Sequence, residues 1–331
     1  MSRRKLLRAL PGGLASAALW ARLPAFAQVA QAPRKVHRIG WLSAAPYAGS
    51  SSQAAFVDGM RERGFIAGEH YAVENLYSEG RSERLPALAA ELVRRHVDLI
   101  VCAGSPSTAA ARHATRTIPI VFFYVGDPVA SGFVASLARP GGNITGLGGL
   151  ALGTQSKYLE LLRELVPKAA RVAMFINSEL HAMLRTELEP AARRLGITLR
   201  AIELRAPGEI DAAFASVVRD RADALLIFGQ PGLYAHTARI ARMAVERRLP
   251  TVAPLEEATR DGVLMSYGSR IVDDVRRLPY YVDRILNGAS PSELPVEQPT
   301  HFYLTINLRT ARALGLVVPQ TLLLRVDEVI E

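Results

Sequence analysis

Nine residues carry most of the chemistry this sequence can offer: Ser43, Gly104, Ser105, Tyr124, Asp127, Asn177, Gln230, Glu256 and Tyr267. Each stands at or just beyond a stretch that reads as a β-strand. Backbone N–H groups and the hydroxyl at Gly104-Ser105 suit a carboxylate, and Asp127 or Glu256 suits an ammonium. Tyr124, Tyr267 or Trp41 could cover an apolar or cationic part of a ligand. Taken singly, each reads equally well as a solvated turn or a helix N-cap, with Ser105 and Ser178 as plausible caps and Tyr124 and Trp41 as core. Their recurrence at strand ends is what points to a binding edge.

The sequence is poor in catalytic constellations. Its seven histidines, His37, His70, His96, His113, His181, His236 and His301, show no metal-binding spacing, and Cys102 is its single cysteine. There is no Gly-x-Ser-x-Gly elbow and no phosphate loop ending in Gly-Lys-Ser/Thr. Gly146-Leu147-Gly148-Gly149 lacks the strand-to-helix setting of a dinucleotide site and reads as a hinge. These features argue for a binding protein with no cofactor and no metal, rather than an enzyme.

The elements that must position these residues alternate between strand and helix. The run Ile118–Val125 is apolar without polar alternation, as in a strand covered on both faces. It turns at Gly126-Asp127-Pro128, and Val129–Ala138 reads as a helix closed by Arg139-Pro140-Gly141-Gly142-Asn143. Ahead of it, strands are expected at 36–42, 70–77 and 97–103, with helices at 54–63, 84–95 and 108–115. The pattern restarts after Gly153, with strands at 171–176, 198–204, 224–228 and 250–254 separated by helices. This predicts an α/β fold of two Rossmann-like lobes with parallel sheets, whose ligands sit beyond the carboxyl ends of the strands. The halves echo each other: Val93-Arg94-x-x-x-Asp98 matches Val218-Arg219-x-x-x-Asp223, Ile118-Pro119-Ile120-Val121 matches Leu249-Pro250-Thr251-Val252, and Arg38-Ile39 matches Arg171-Val172.

The first 27 residues read as an export signal, with a basic start at Arg3-Arg4-Lys5, a modestly apolar stretch Ala9–Trp20, and the small-x-small pattern Ala25-Phe26-Ala27 before Gln28. The paired arginines are like a twin-arginine signal, with Leu6 in place of the usual phenylalanine, so the general secretory route stays open. Cleavage after Ala27 would free the protein into the periplasm and lower the formal charge from +9 to +4. The remaining arginines are scattered as Arg94-Arg95, Arg193-Arg194 and Arg247-Arg248, which is no nucleic-acid stripe. Cys102 lies in an apolar run and reads as a buried small hydrophobe.

Longer motifs carry a family resemblance. They include Phe56-x-x-Gly59-Met60-x-x-x-Gly64, Glu79-Gly80-Arg81, Leu85-Pro86-Ala87-Leu88, Gly126-Asp127-Pro128-Val129 and Met265-Ser266-Tyr267-Gly268. The most specific run is Ser136-Leu137-Ala138-Arg139-Pro140-Gly141-Gly142-Asn143-Ile144-Thr145-Gly146. With Leu294-Pro295-Val296-x-Gln298-Pro299-Thr300 and Ile306-Asn307-Leu308, these span the chain after the signal, which resembles the tryptophan/tyrosine-type solute-binding proteins of bacterial ABC importers. The resemblance implies a type I periplasmic-binding fold that closes over a small polar ligand, an amino acid or related carboxylate, and delivers it to an inner-membrane permease. A monomer is expected. It places 36–149 and 268–290 in an N-terminal lobe and 150–267 and 291–331 in a C-terminal lobe. The chain departs from the family at Asp274-Val275-Arg276 and Leu278-Pro279, where a Tyr-Arg pair and a glycine are usual, which puts the docking of that helix in question.

A lac-type regulator shares this architecture but needs a DNA-binding headpiece, for which Gln28–Lys35 leaves no room. An exported enzyme using Asp127 or Glu256 as a base lacks a paired nucleophile. A ligand-binding sensor for a membrane receptor fits the sequence as well as a transport component does, and the residues do not name the ligand.

Overall fold

The computed structural model describes residues 35–44, 51–148, 155–176, 184–228, 233 and 235–331. The expected signal segment and the candidates Asn177 and Gln230 lie outside the described residues.

Two sheets organise the chain. The first holds β1 (His37–Ser43), β2 (Tyr71–Tyr77), β3 (Leu99–Ala103), β4 (Ile120–Val125) and β5 (Ile144–Gly148), all parallel, in the order β2-β1-β3-β4-β5. Helices α1 (Ser51–Arg61), α2 (Leu85–Arg94) and α3 (Gly104–Ala114) cover it. The second holds β6 (Arg171–Ile176), β7 (Thr198–Glu203), β8 (Ala224–Ile227), β9 (Thr251–Ala253), β10 (Met265–Gly268), β11 (Tyr303–Asn307) and β12 (Glu328–Ile330). Its order is β12-β11-β10-β9-β8-β6-β7, and among the described residues β10 and β11 pair antiparallel while the other neighbours are parallel. Each sheet is buried on both faces, which is why its central strands are apolar without alternation. Cys102 is wholly buried in the first sheet, where burial pushes its thiol far above the usual range.

The echo between halves has a structural cause. The Asp98 carboxylate accepts the Arg38 amide at 2.8 Å, and the Asp223 carboxylate accepts the Arg171 amide at 2.8 Å. The Ile100 amide donates to the Pro119 carbonyl at 2.9 Å, and the Leu225 amide donates to the Pro250 carbonyl at 2.8 Å. Both sheets thus start their central strands with the same contacts.

Four expectations change. Val129–Ala138 forms turns, not a helix: Gly132 takes φ +67°, and the Ala135 amide turns away to the Pro140 carbonyl. Gly104-Ser105-Pro106-Ser107 is the first turn of α3, because Gly104 at φ +77° swings the chain directly from β3 into the helix. Gly146-Leu147-Gly148 belongs to β5, where a Cβ on Gly146 would lie 2.0 Å from the Phe122 carbonyl oxygen. Pro291–Gln298, expected with the second lobe, lies along β5 instead: the Val296 amide donates to the Leu137 carbonyl at 2.7 Å and the Gly148 amide to the Glu297 carbonyl at 2.8 Å. No local pattern encodes that pairing.

Helix Ile271–Leu286 packs Val275, Leu278, Tyr281 and Val282 into the core that α1 shares with the first sheet. Its departure from the family motif is accommodated at Gly59. A Cβ there would lie 2.8 Å from the Arg276 carbonyl oxygen and 2.9 Å from Pro279 Cγ, so the two helices meet at a glycine. Tyr281 fixes the stretch beyond by donating its hydroxyl to the Pro295 carbonyl at 2.9 Å.

Candidate functional site

Strand direction brings the two sheets edge to edge. The chain leaves the first sheet at the carboxyl end of β5, returns from the carboxyl end of β10 into helix Ile271–Leu286, and crosses again between Gln298 and Tyr303. Because β11 is antiparallel to β10, it also begins at that edge. The passage out of β10 and the one into β11 therefore both lie at the carboxyl edge, where ligands of parallel sheets collect. A cavity of about 310 Å³ at the passages is lined by Gly148, Ser269, Arg270, Asp274, Gln298 and Tyr303, among others.

The first sheet supplies Ser43, Gly104, Ser105, Tyr124 and Asp127 to its edge. Ser43 is buried and its carbonyl accepts the Ser78 amide at 3.0 Å, which ties the end of β1 to the end of β2. Ser105 is buried one residue inside α3, an eleven-residue helix whose amino end faces the edge. Such an end presents N–H groups to an anion. Tyr124 is half-buried at φ +58°, a costly conformation for a bulky side chain. The strain accompanies a register shift between β4 and β5. As a result Phe123 and Tyr124 both pack toward the α1 side, while Phe122 and Val125 pack toward the α2 side. Asp127 Oδ1 accepts the Val129 amide at 3.0 Å and the Ala130 amide at 2.9 Å, so it caps the turn that follows.

The second sheet supplies Glu256 and Tyr267. Glu256 is buried against arginines, with Oε1 3.0 Å from Arg260 Nη2 and Oε2 3.8 Å from Arg270 Nε. Glu328 bridges the same two arginines at 2.8 and 3.1 Å. That pairing leaves Glu256 poorly suited to a ligand ammonium. Tyr267 stacks on Phe302 at 5.6 Å and meets the edge of Tyr158 at 6.1 Å, and Tyr158 meets Phe228 at 5.0 Å. Four aromatic rings thus cluster at this edge.

Groups without any sequence signal also gather here. Ser78 and Ser107 are buried, and neither hydroxyl has a hydrogen-bond partner among the described residues. Arg270 lies over the Tyr303 ring at 3.8 Å, and the Tyr303 hydroxyl donates to Asp273 at 3.0 Å. Beneath them Asp274 accepts from Ser269 Oγ at 3.0 Å. Burial pushes Asp274 up to about 7, against the Ser269 hydrogen bond and aided by Asp273 and Glu257. Glu257 is also raised by burial, and its Oε1 accepts the Ile271 amide at 3.1 Å. These acids come from separate elements, so only the tertiary structure assembles them. Among the described residues no three His, Cys, Asp or Glu side chains are grouped to hold a metal, and no helix is long and apolar enough to cross a membrane.

The family model described as ABC transporter substrate binding protein matches residues 49–330. A curated relative, the tyrosine-binding protein of Clostridioides difficile (strain R20291), is 26% identical over 271 residues, covering 80% of this chain and 76% of that protein. A Streptococcus pneumonia ABC domain in complex with L-Trp superposes with a TM-score of 0.81 at 21% identity, over 89% of this chain and 100% of that one. The ligand-free, open structure of a substrate-binding protein with adhesive properties from Clostridium difficile gives 0.63 at 25% identity, over 89% and 99%. The fold is that of the type I periplasmic binding proteins.

Proposed function

This chain belongs to the family of ABC transporter substrate-binding proteins, and from that premise we propose that it captures an aromatic amino acid between two lobes and passes it to a permease. The observation that carries this reading is the aromatic set at the facing edges, with Tyr124 on the first sheet and Tyr267 stacked on Phe302 on the second. The carboxylate is met by N–H groups and the hydroxyl at Gly104-Ser105, and the ammonium by Asp127, whose Oδ2 makes no hydrogen bond among the described residues. A tyrosine-binding relative and a neighbour holding L-Trp support the ligand class. In this reading the first lobe takes 36–148 with 268–298, the second takes most of the remainder, and hinge motion at the three passages closes them. The precursor is cut after Ala27 and the mature chain works as a monomer in the periplasm, where it meets the inner-membrane permease.

The test is a thermal-shift screen and calorimetric titration with L-tyrosine, L-tryptophan, L-phenylalanine and L-leucine. A ligand at a hundredfold excess over its Kd stabilises the folded chain by about 2.7 kcal/mol. Stabilisation by an aromatic amino acid, and less by L-leucine, is the expected result. No shift with any aromatic amino acid at millimolar concentration would overturn the ligand assignment.

A further inference from the structure

The run Ser136–Gly146, the most specific of the family motifs, is not used by the cleft. Its Pro140–Ile144 portion lies where β5 begins, at the edge of the first sheet opposite the candidate site. There it forms one wall of a second cavity of about 320 Å³. The opposite wall is Arg112, in the last turn of α3, and Arg116 just beyond it. Phe133 adds an apolar surface, and no acidic residue lines the space.

Neither Arg112 nor Arg116 makes an ion pair or side-chain hydrogen bond among the described residues, whereas Arg38, Arg95, Arg260 and Arg277 each hold carboxylates. Arg112 belongs to the last turn of α3 and Arg116 follows the extended residue Thr115, so the two cations reach the same cavity from different backbone segments. The loop facing them is shaped by Gly132 at φ +67° and Gly141 at φ +81°. A Cβ on Gly132 would lie 3.5 Å from Arg112 Nη1, so glycine keeps backbone close to the guanidinium without filling the cavity.

We propose that Arg112 and Arg116 form an anion site for a phosphate group. Two planar guanidinium forks match the charge and the several oxygens of a phosphate better than a single carboxylate does. The cavity exceeds what a bare phosphate fills, and Phe133 would cover an organic substituent. Free phosphate esters and phospholipid head groups share this chemistry.

The experiment uses the full chain and the double variant Arg112→Gln/Arg116→Gln, with circular dichroism to confirm folding. Glycerol 3-phosphate is titrated calorimetrically, and flotation is measured with vesicles of phosphatidylglycerol and of phosphatidylcholine. The site predicts glycerol 3-phosphate binding that weakens at least tenfold in the variant. Flotation only with phosphatidylglycerol, lost in the variant, would identify the lipid as the source; soluble ester binding without flotation would identify the free ester. Equal binding by both proteins, or none to either probe, overturns the proposal. The cleft is read separately from the L-tyrosine titration, which the variant leaves unchanged, so failure here and failure of the amino-acid assignment are distinguishable.

Discussion

Ser269 Oγ donates a hydrogen bond of 3.0 Å to Asp274 Oδ2, tying the passage out of β10 to the first turn of helix Ile271–Leu286. Burial holds the Asp274 carboxyl up to about 7, well above the usual aspartate range. The folded chain therefore keeps a proton that the unfolded chain releases. Its stabilising effect is full below about pH 4 and declines as pH rises through about 7, where a buried carboxylate must ionise. Thermal melts between pH 5 and pH 8 should show wild type losing stability relative to Asp274→Asn as pH rises. Parallel curves would remove Asp274 from the account.

Asp127 serves two roles in the proposed site, and its variants separate them. Asp127→Ala removes the acceptor for the Val129 and Ala130 amides and should cost about 1 kcal/mol of stability. Asp127→Asn keeps an acceptor but leaves a ligand ammonium unpaired, so affinity for an aromatic amino acid should fall roughly a hundredfold. Calorimetry on both variants checks this, and unchanged affinity in Asp127→Asn would retire the ammonium assignment. Glu256, the other acid considered, is already committed to Arg260.

Tyr124 at φ +58° holds a strained backbone that glycine would relieve. Tyr124→Gly should weaken aromatic ligand binding by at least tenfold, with a smaller stability loss than truncating a half-buried tyrosine at relaxed geometry. Titration together with urea unfolding reads the two effects apart. If affinity stays constant, Tyr124 is packing and not recognition.

Gly146 approaches the Phe122 backbone so closely that no side chain fits. Gly146→Ala must force β5 away from β4, and a loss of about 4 kcal/mol or more is expected, near the top of the range for single substitutions. Gly142→Ala, where nothing lies within 4 Å of an added Cβ, serves as the control. Soluble, normally melting Gly146→Ala protein would contradict the close approach.

What the sequence determined by itself was the local content of the fold. Continuous apolar runs marked buried strands such as β3, β4 and β6, and helical spacing marked α1 and α2, because periodicity is a local property. The recurrent Asp98 and Asp223 signalled equivalent strand starts, since each needs only a nearby strand amide to bind. Tertiary structure decided the rest. The Pro291–Gln298 stretch has no periodicity and finds its place only by pairing with β5. Tyr124 changes faces because the β4–β5 register slips, which one strand alone cannot encode. Asp274 and Glu257 become neighbouring acids because separate elements converge on the passages, and burial, not residue type, raises both.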